Sequence, residues 1–295
     1  VKLRTIILVA TGTAVAISGG LFGVGAYFAE GALHPARIPV ALVCPCIAHV
    51  SCGDALARSS DGTVLRGWYY KPEIPTGKAI LLLHGVGGNR ESMVSLGNLF
   101  LQNGYSVLEP DLRGHGESGG ITTYGVLEEQ DIRAWASWML SQPGVIRIYG
   151  FGASLGASVL LESLSRETRF RGVIAESAYS DFPAIATERL GRDLGQMAFL
   201  AAPVVDAGFF WAKMRYGVDF RKASAVDAVR GTQTPVLLIH GLADFKTAPE
   251  NSRRIAAANP KATLWLVPGG GHANIRKFLG KAFDNRVLAW LAALE

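Results

Sequence analysis

Ile146-Arg147-Ile148-Tyr149-Gly150-Phe151-Gly152-Ala153-Ser154-Leu155-Gly156-Ala157 is the stretch that decides the fold. An apolar run of strand character enters Gly-x-Ser-x-Gly and an apolar helical run leaves it, so a strand turns sharply into a helix with Ser154 at the apex. A serine at such a turn takes a strained backbone. The residues two before and two after it must be small for the chain to fold on itself, and Gly152 and Gly156 meet that need. The turn lifts the hydroxyl above the strand end, at a helix N-terminus whose dipole favours developing negative charge. Ser154 is the expected nucleophile.

A nucleophilic serine needs a base, an orienting acid and donors for the oxyanion. The histidines are His34, His49, His84, His115, His240 and His272. His84, His115 and His240 each precede a glycine at a strand end or in a loop. His272 follows Val267-Pro268-Gly269-Gly270-Gly271, beyond the last expected strand and at the carboxyl edge of the sheet, where sites on such folds form. The chain order Ser, acid, His also calls for a late histidine, which makes His272 the expected general base. Asp244, in His240-Gly241-Leu242-Ala243-Asp244, is the expected acid; Glu176, at the end of the preceding strand, is its rival. Backbone N–H groups of Leu155 and of Val86 are the expected oxyanion donors. Val86 lies in the loop His84-Gly85-Val86-Gly87-Gly88-Asn89, where Gly87 is the alternative.

Outward from this centre, short apolar runs alternate with amphipathic stretches, which predicts βαβ units and a mostly parallel sheet. The expected strands are Thr63–Tyr70, Ala79–Leu83, Ser106–Glu109, Ile146–Tyr149, Gly172–Glu176, Val236–Ile239 and Thr263–Val267. The expected helices are Glu91–Asn103, Tyr124–Ser141, Ser154–Ser165, Pro249–Ala258 and Ile275–Leu294. About 60 residues separate Glu176 from Val236, too many for an ordinary crossover. This segment, rich in Phe, Trp and Met, reads as a helical cap over about residues 181–233.

At the other end, Lys2 and Arg4 precede an uncharged stretch of about 25 residues, Thr5–Ala29, closed by Glu30. That length suits a transmembrane helix better than a cleaved signal, whose apolar region is about 7–15 residues. The reading is therefore an anchor over residues 1–30, a cysteine-bearing linker over 31–62 and a catalytic domain over 63–295. The basic residues before the span place its N-terminus in the cytoplasm and the domain outside. Gly19 and Gly23 form a G-x-x-x-G, a helix-packing candidate. Cys44, Cys46 and Cys52 are the three cysteines. Two of them are able to pair, and zinc is disfavoured for want of a fourth ligand beyond His49. The net charge of +5 has no Lys/Arg block behind it, which leaves nucleic-acid binding unsupported.

Taken together, the chain resembles α/β-hydrolases of the serine aminopeptidase S33 and lysophospholipase-like group, and within it the Bem46-like membrane-anchored hydrolases. The likeness rests on Leu83-His84-Gly85, Asp111-Leu112-Arg113-Gly114-His115-Gly116-Glu117-Ser118-Gly119, Gly152–Gly156, Ile239–Asp244 and Gly270-Gly271-His272, in order over about residues 63–295. It implies that the Asp111–Gly119 segment is a structural loop, so that His115 is not catalytic.

The implied chemistry is acyl transfer to water, which needs no metal or organic cofactor. The aromatic cap favours a small-molecule or lipid ester, as for a carboxylesterase or lysophospholipase. Peptidase or amidase activity of the S33 type is the alternative, and a non-catalytic binding protein on a hydrolase fold is the third reading.

Overall fold

The computed structural model describes the backbone of residues 2–41, 44–45 and 49–295, and the side chains of these except 2–10 and 12–17. The strands are β1 (Val50–Arg58), β2 (Val64–Pro72), β3 (Lys78–Leu83), β4 (Ser106–Pro110), β5 (Arg147–Ala153), β6 (Phe170–Glu176), β7 (Val236–Gly241) and β8 (Thr263–Val267). They form one sheet in the order β1-β2-β4-β3-β5-β6-β7-β8. β1 and β2 pair antiparallel, as do β2 and β4, and every other pairing is parallel.

Burial on both faces explains the near-continuous apolar runs. Along β3, Ala79, Leu81 and Leu83 join one core layer with Ile132 and Trp135 of α3 (Glu128–Leu140) and Val159 of α4 (Leu155–Ser163). Ile80 and Leu82 face the other layer, with Phe100 of α2 (Val94–Gln102) and Phe283 and Val287 of α10 (Lys281–Ala292). Each of the leucine, isoleucine, valine and phenylalanine side chains among them contributes roughly 1.5–3 kcal/mol by leaving water.

Every expected strand is present. The largest departure is β5, which continues past Tyr149 to Ala153 and so runs straight into the turn at Ser154. The region read as a linker differs more. It holds the end of α1 (Lys2–Leu33) and also β1, which pairs with β2 along its whole length. β1 is an edge strand whose inward residues include Ala55 and Ala57, small side chains that leave little periodic signal. Cys44 and Cys52 form a disulfide that fastens the chain ahead of β1; Cys46 lies outside the described residues. The helix expected from Tyr124 begins at Glu128, whose carboxylate accepts the N–H groups of Thr123 (2.7 Å) and Gly125 (2.8 Å) and so sets the start. The closing helix is two: α9 (Ile275–Leu279) and α10, broken at Gly280 with φ +54°.

The cap consists of α5 (Phe182–Leu194), a 3-10 turn (Gly195–Leu200) and α6 (Ala201–Tyr216). Asp181 caps α5 by accepting the Ala184 N–H at 2.8 Å. Gly217, at φ +70°, ends α6. The base is pinned where Phe182 N–H donates to Ala223 O at 2.9 Å. Phe182 stacks on Tyr124 with ring centres 3.9 Å apart and packs against Phe209 and Phe220. The last stretch assigned to the cap, α7 (Ala225–Val229), instead packs on α4 and belongs to the helical layer beside the sheet. Among the described residues, 182–216 is the stretch long and apolar enough to cross a membrane, yet it bends at Gly195 and is this cap.

α1 packs lengthwise on α6. The glycines at the contact are not Gly19 and Gly23, which have nothing near them. They are Gly25 and Gly208, where a Cβ on either would lie 2.7 Å from the other's backbone. The Trp211 indole N–H donates to Glu30 at 2.8 Å and the Tyr216 hydroxyl donates to the same carboxylate at 2.9 Å. Leu33 is fully buried.

Candidate active site

β5 ends at Ala153 and α4 starts at Leu155, leaving Ser154 alone in the turn with φ 53° and ψ −114°. Such a backbone costs a non-glycine residue on the order of 1–3 kcal/mol and persists only where its surroundings hold it. Here the Ser154 N–H donates to Glu176 O at 2.8 Å. A Cβ on Gly156 would lie 2.5 Å from Leu83 O, and one on Gly152 would strike the Gly156 backbone, so both glycines are required by close approach.

Loops after β5, β7 and β8 bring Ser154, Asp244 and His272 together. Ser154 Oγ is 2.9 Å from His272 Nε2, and His272 Nδ1 is 2.8 Å from Asp244 Oδ2. The His272 loop is held by three backbone donors: Gly271 N–H to Asn274 Oδ1 (3.0 Å), Ala273 N–H to Ser177 Oγ (3.0 Å) and Ile275 N–H to Glu176 Oε1 (2.9 Å). Asp244 Oδ1 accepts the N–H groups of Lys246 at 3.0 Å and Thr247 at 2.9 Å. Burial alone would raise the pKa of Asp244, but hydrogen bonds from His240, His272 and Thr247 outweigh it and hold the carboxyl well below the usual range. An ionised Asp244 favours the tautomer of His272 with its proton on Nδ1, which leaves Nε2 as an acceptor facing the Ser154 hydroxyl.

His240 is a neighbour that sequence reasoning passed over. Its Nδ1 accepts from the hydroxyl of Ser252 in α8 (Glu250–Ala258) at 2.6 Å, and its Nε2–H donates to Thr247 O at 2.9 Å with Asp244 Oδ2 at 3.3 Å. Its position four residues before Asp244 carries no sign of this contact, which the curl of the loop beyond β7 through Thr247 and Ser252 creates. Glu176, the rival acid, is directed to the backbone of the His272 loop. Burial raises its pKa to about 7, against the Ile275 N–H and His240, which lower it, and with Asp244, which raises it.

The loop carrying Val86 lies over Ser154: a Cβ on Gly85 would be 3.4 Å from the Ser154 Cβ. His84 shapes this loop. Its Nδ1–H donates to Gly85 O at 2.8 Å and its Nε2 accepts the Leu112 N–H at 3.1 Å, which requires a neutral ring. Burial, opposed by the Gly85 carbonyl, lowers its pKa to about 3. Leu155 opens α4, so its N–H is among the first-turn donors without an intrahelical acceptor. His115 stacks edge-on to His84 at 5.2 Å and its Nδ1–H donates to Arg113 O. Arg113 is held by two bonds to Asp131, at 2.7 and 2.6 Å. The Asp111–Gly119 segment is thus a brace behind the His84 loop.

Above Ser154 and His272 opens a pocket of about 820 Å³, bounded by Val86, Met93 and the cap residues Arg189, Arg192 and Asp193. Arg192 donates to the carbonyls of Phe245 and Lys246, tying the cap to the Asp244 loop. On this side the cap therefore presents Arg189, Arg192 and one carboxylate, Asp193, and with Lys246 of the Asp244 loop they make a largely cationic rim where an apolar wall was expected. Basic residues scattered through an apolar segment concealed it. Among the described residues no cluster of three His, Cys, Asp or Glu side chains is placed to hold a metal.

A family model described as the alpha/beta hydrolase family matches residues 80–276. The chain belongs to the alpha/beta hydrolase family. Like other alpha/beta hydrolases it has solved structural neighbours, among them the esterase Pf2001 of Pyrococcus furiosus, with a TM-score of 0.72 at 23% identity over 88% of this chain and 99% of that one. An uncharacterised Bacillus subtilis protein, YqkD, is 28% identical over 73% of this chain and 71% of its own length. A thermostable monoacylglycerol lipase of a Bacillus species is 29% identical over 42% of this alpha/beta hydrolase and 48% of the lipase.

Proposed function

We propose that this alpha/beta hydrolase cleaves carboxylic esters with Ser154 as nucleophile, His272 as general base and Asp244 as the acid that orients it. The observation that carries the reading is the continuous relay from Ser154 Oγ through both nitrogens of His272 to Asp244, with no contact longer than 2.9 Å. Ser154 Oγ attacks the ester carbonyl as its proton passes to His272 Nε2. The tetrahedral oxyanion is held by the N–H groups of Leu155 and Val86. Collapse expels the alcohol, protonated by His272, and leaves an acyl-enzyme that a water activated by the same ring hydrolyses. No metal or cofactor enters this sequence.

Similarity to an esterase and to a monoacylglycerol lipase supports an ester substrate. The cationic rim disfavours the S33-type peptidase reading, since a substrate ammonium group would meet Arg189, Arg192 and Lys246. The motifs along residues 83–272 support a place among the Bem46-like hydrolases, and the uncharged Thr5–Ala29 stretch supports a membrane anchor that leaves the domain outside the cytoplasm. The test is covalent labelling by a fluorophosphonate with turnover of p-nitrophenyl esters and aminoacyl-arylamides. Labelling at Ser154, lost in Ser154→Ala, with esters cleaved faster than arylamides, is expected. A folded protein that takes no label would leave only the non-catalytic reading, and faster arylamide cleavage would establish the peptidase.

A further inference from the structure

Counting along α1 limits where the cap can stand. About 20 helical residues cross a hydrocarbon core. Counted from Thr5, the first residue beyond the basic pair, twenty residues end at Val24. Leu21 already packs on Leu190, Ala201 and Val204 of the cap, and the Phe22 ring lies 6.3 Å from Phe210 and 5.9 Å from Trp211. α1 is one uninterrupted helix through this region, so the cap cannot be held off the membrane by a tether. The cap surface that meets Leu21 and Phe22 lies at the depth of the leaflet. Its outward side chains agree: Met197, Phe199, Phe210 and Met214 are all exposed, as are Tyr27 and Phe28 of α1. Patches of this kind on a soluble surface mark an interaction site, and the bilayer joined to α1 is the occupant that geometry supplies.

Between α1 and the cap is a second cavity, of about 250 Å³, apolar over most of its wall. Phe28, Ala29 and Ala32 of α1 form one side and Ile185, Ala186 and Val204 of the cap the other. Arg189 and Asp193 of α5 border both this cavity and the pocket above Ser154. We propose that this cavity takes the alkyl chain of a membrane lipid ester, which enters sideways from the leaflet between α1 and the cap while its ester group reaches Ser154. The anchor helix is then a wall of the substrate site. The inference rests on the ester-hydrolase and anchor readings above and adds to them the substrate class and its route.

The experiment uses the full chain in phosphatidylcholine vesicles. Ala186→Phe fills the cavity from α5 and Ala32→Phe fills it from α1, and a normal melting transition identifies a folded variant. The ratio of kcat/KM for a long-chain over a butyryl p-nitrophenyl ester is expected to fall about tenfold or more, since two lost buried methylenes account for that factor. In parallel, Ser154→Ala is irradiated with a long-chain fatty acid bearing a terminal diazirine. Adducts are expected on residues 28–32 and 185–209, and Ala186→Phe in that background removes them. An unchanged chain-length ratio in a folded variant, or adducts confined to residues 1–24, overturns the proposal. Absence of ester turnover in the wild type would instead overturn the hydrolase reading, and the adduct map then decides the cavity alone.

Discussion

Asp244 Oδ2 lies 2.8 Å from Nδ1 of His272, and this contact separates two carboxylates that the chain offers for one role. Glu176 sits one strand away but holds the Ile275 N–H. Asp244→Asn is expected to lower kcat on the order of a thousandfold to ten-thousandfold, because an amide in place of the carboxylate favours the wrong tautomer of His272. Glu176→Gln keeps an acceptor for Ile275 and is expected to retain kcat within about tenfold, far above that loss. Ester kinetics on both variants, with circular dichroism to check folding, decide the acid. A reversed order would transfer the role to Glu176.

The same glutamate sets a pH dependence of stability. Burial raises its pKa from 4.5 to about 7 in the folded state. Between these values the folded protein binds a proton that the unfolded chain has released, so stability falls as pH rises through the window. Loss of the whole interval amounts to about 3 kcal/mol. Glu176→Gln lacks the titrating group and is expected to show a smaller decline between pH 5 and pH 8. Denaturant melts of both proteins at the two pH values measure it, and parallel declines would remove Glu176 as the cause.

How much of this was legible follows from which residues have local causes. Gly152 and Gly156 could be read because a tight strand-to-helix turn excludes a Cβ wherever it occurs. That Asp244 and His272 meet beside Ser154 could be read because strand order on such a sheet fixes where their loops emerge. His240 could not, since its contact with Asp244 depends on how the loop beyond β7 curls back through Thr247 and Ser252. β1 was illegible because an edge strand that buries Ala55 and Ala57 carries little alternation. The break at Gly280 was hidden by apolar residues that keep helical spacing on both sides of it. The cationic rim arises from tertiary packing, as Arg192 reaches carbonyls more than fifty residues away in sequence.

Gly25 and Gly208 supply the sharpest test of how α1 meets the cap. A Cβ on Gly208 would stand 2.7 Å from Gly25 O, and neither backbone can yield without parting the helices. Gly208→Leu is expected to destabilise the protein by roughly 1–3 kcal/mol, the usual cost of overpacking a close contact. Separation would also strain the Trp211 and Tyr216 bonds to Glu30 and widen the wall of the second cavity. Gly23→Leu is the matched control, because nothing lies within 4 Å of Gly23 and leucine is the better helix former by up to about 1 kcal/mol. Thermal melts of the full chain in detergent are expected to show a loss for Gly208→Leu and none for Gly23→Leu. Equal losses would move the packing face to the Gly19–Gly23 side and detach α1 from the cap, and a loss in Gly23→Leu alone would do so outright.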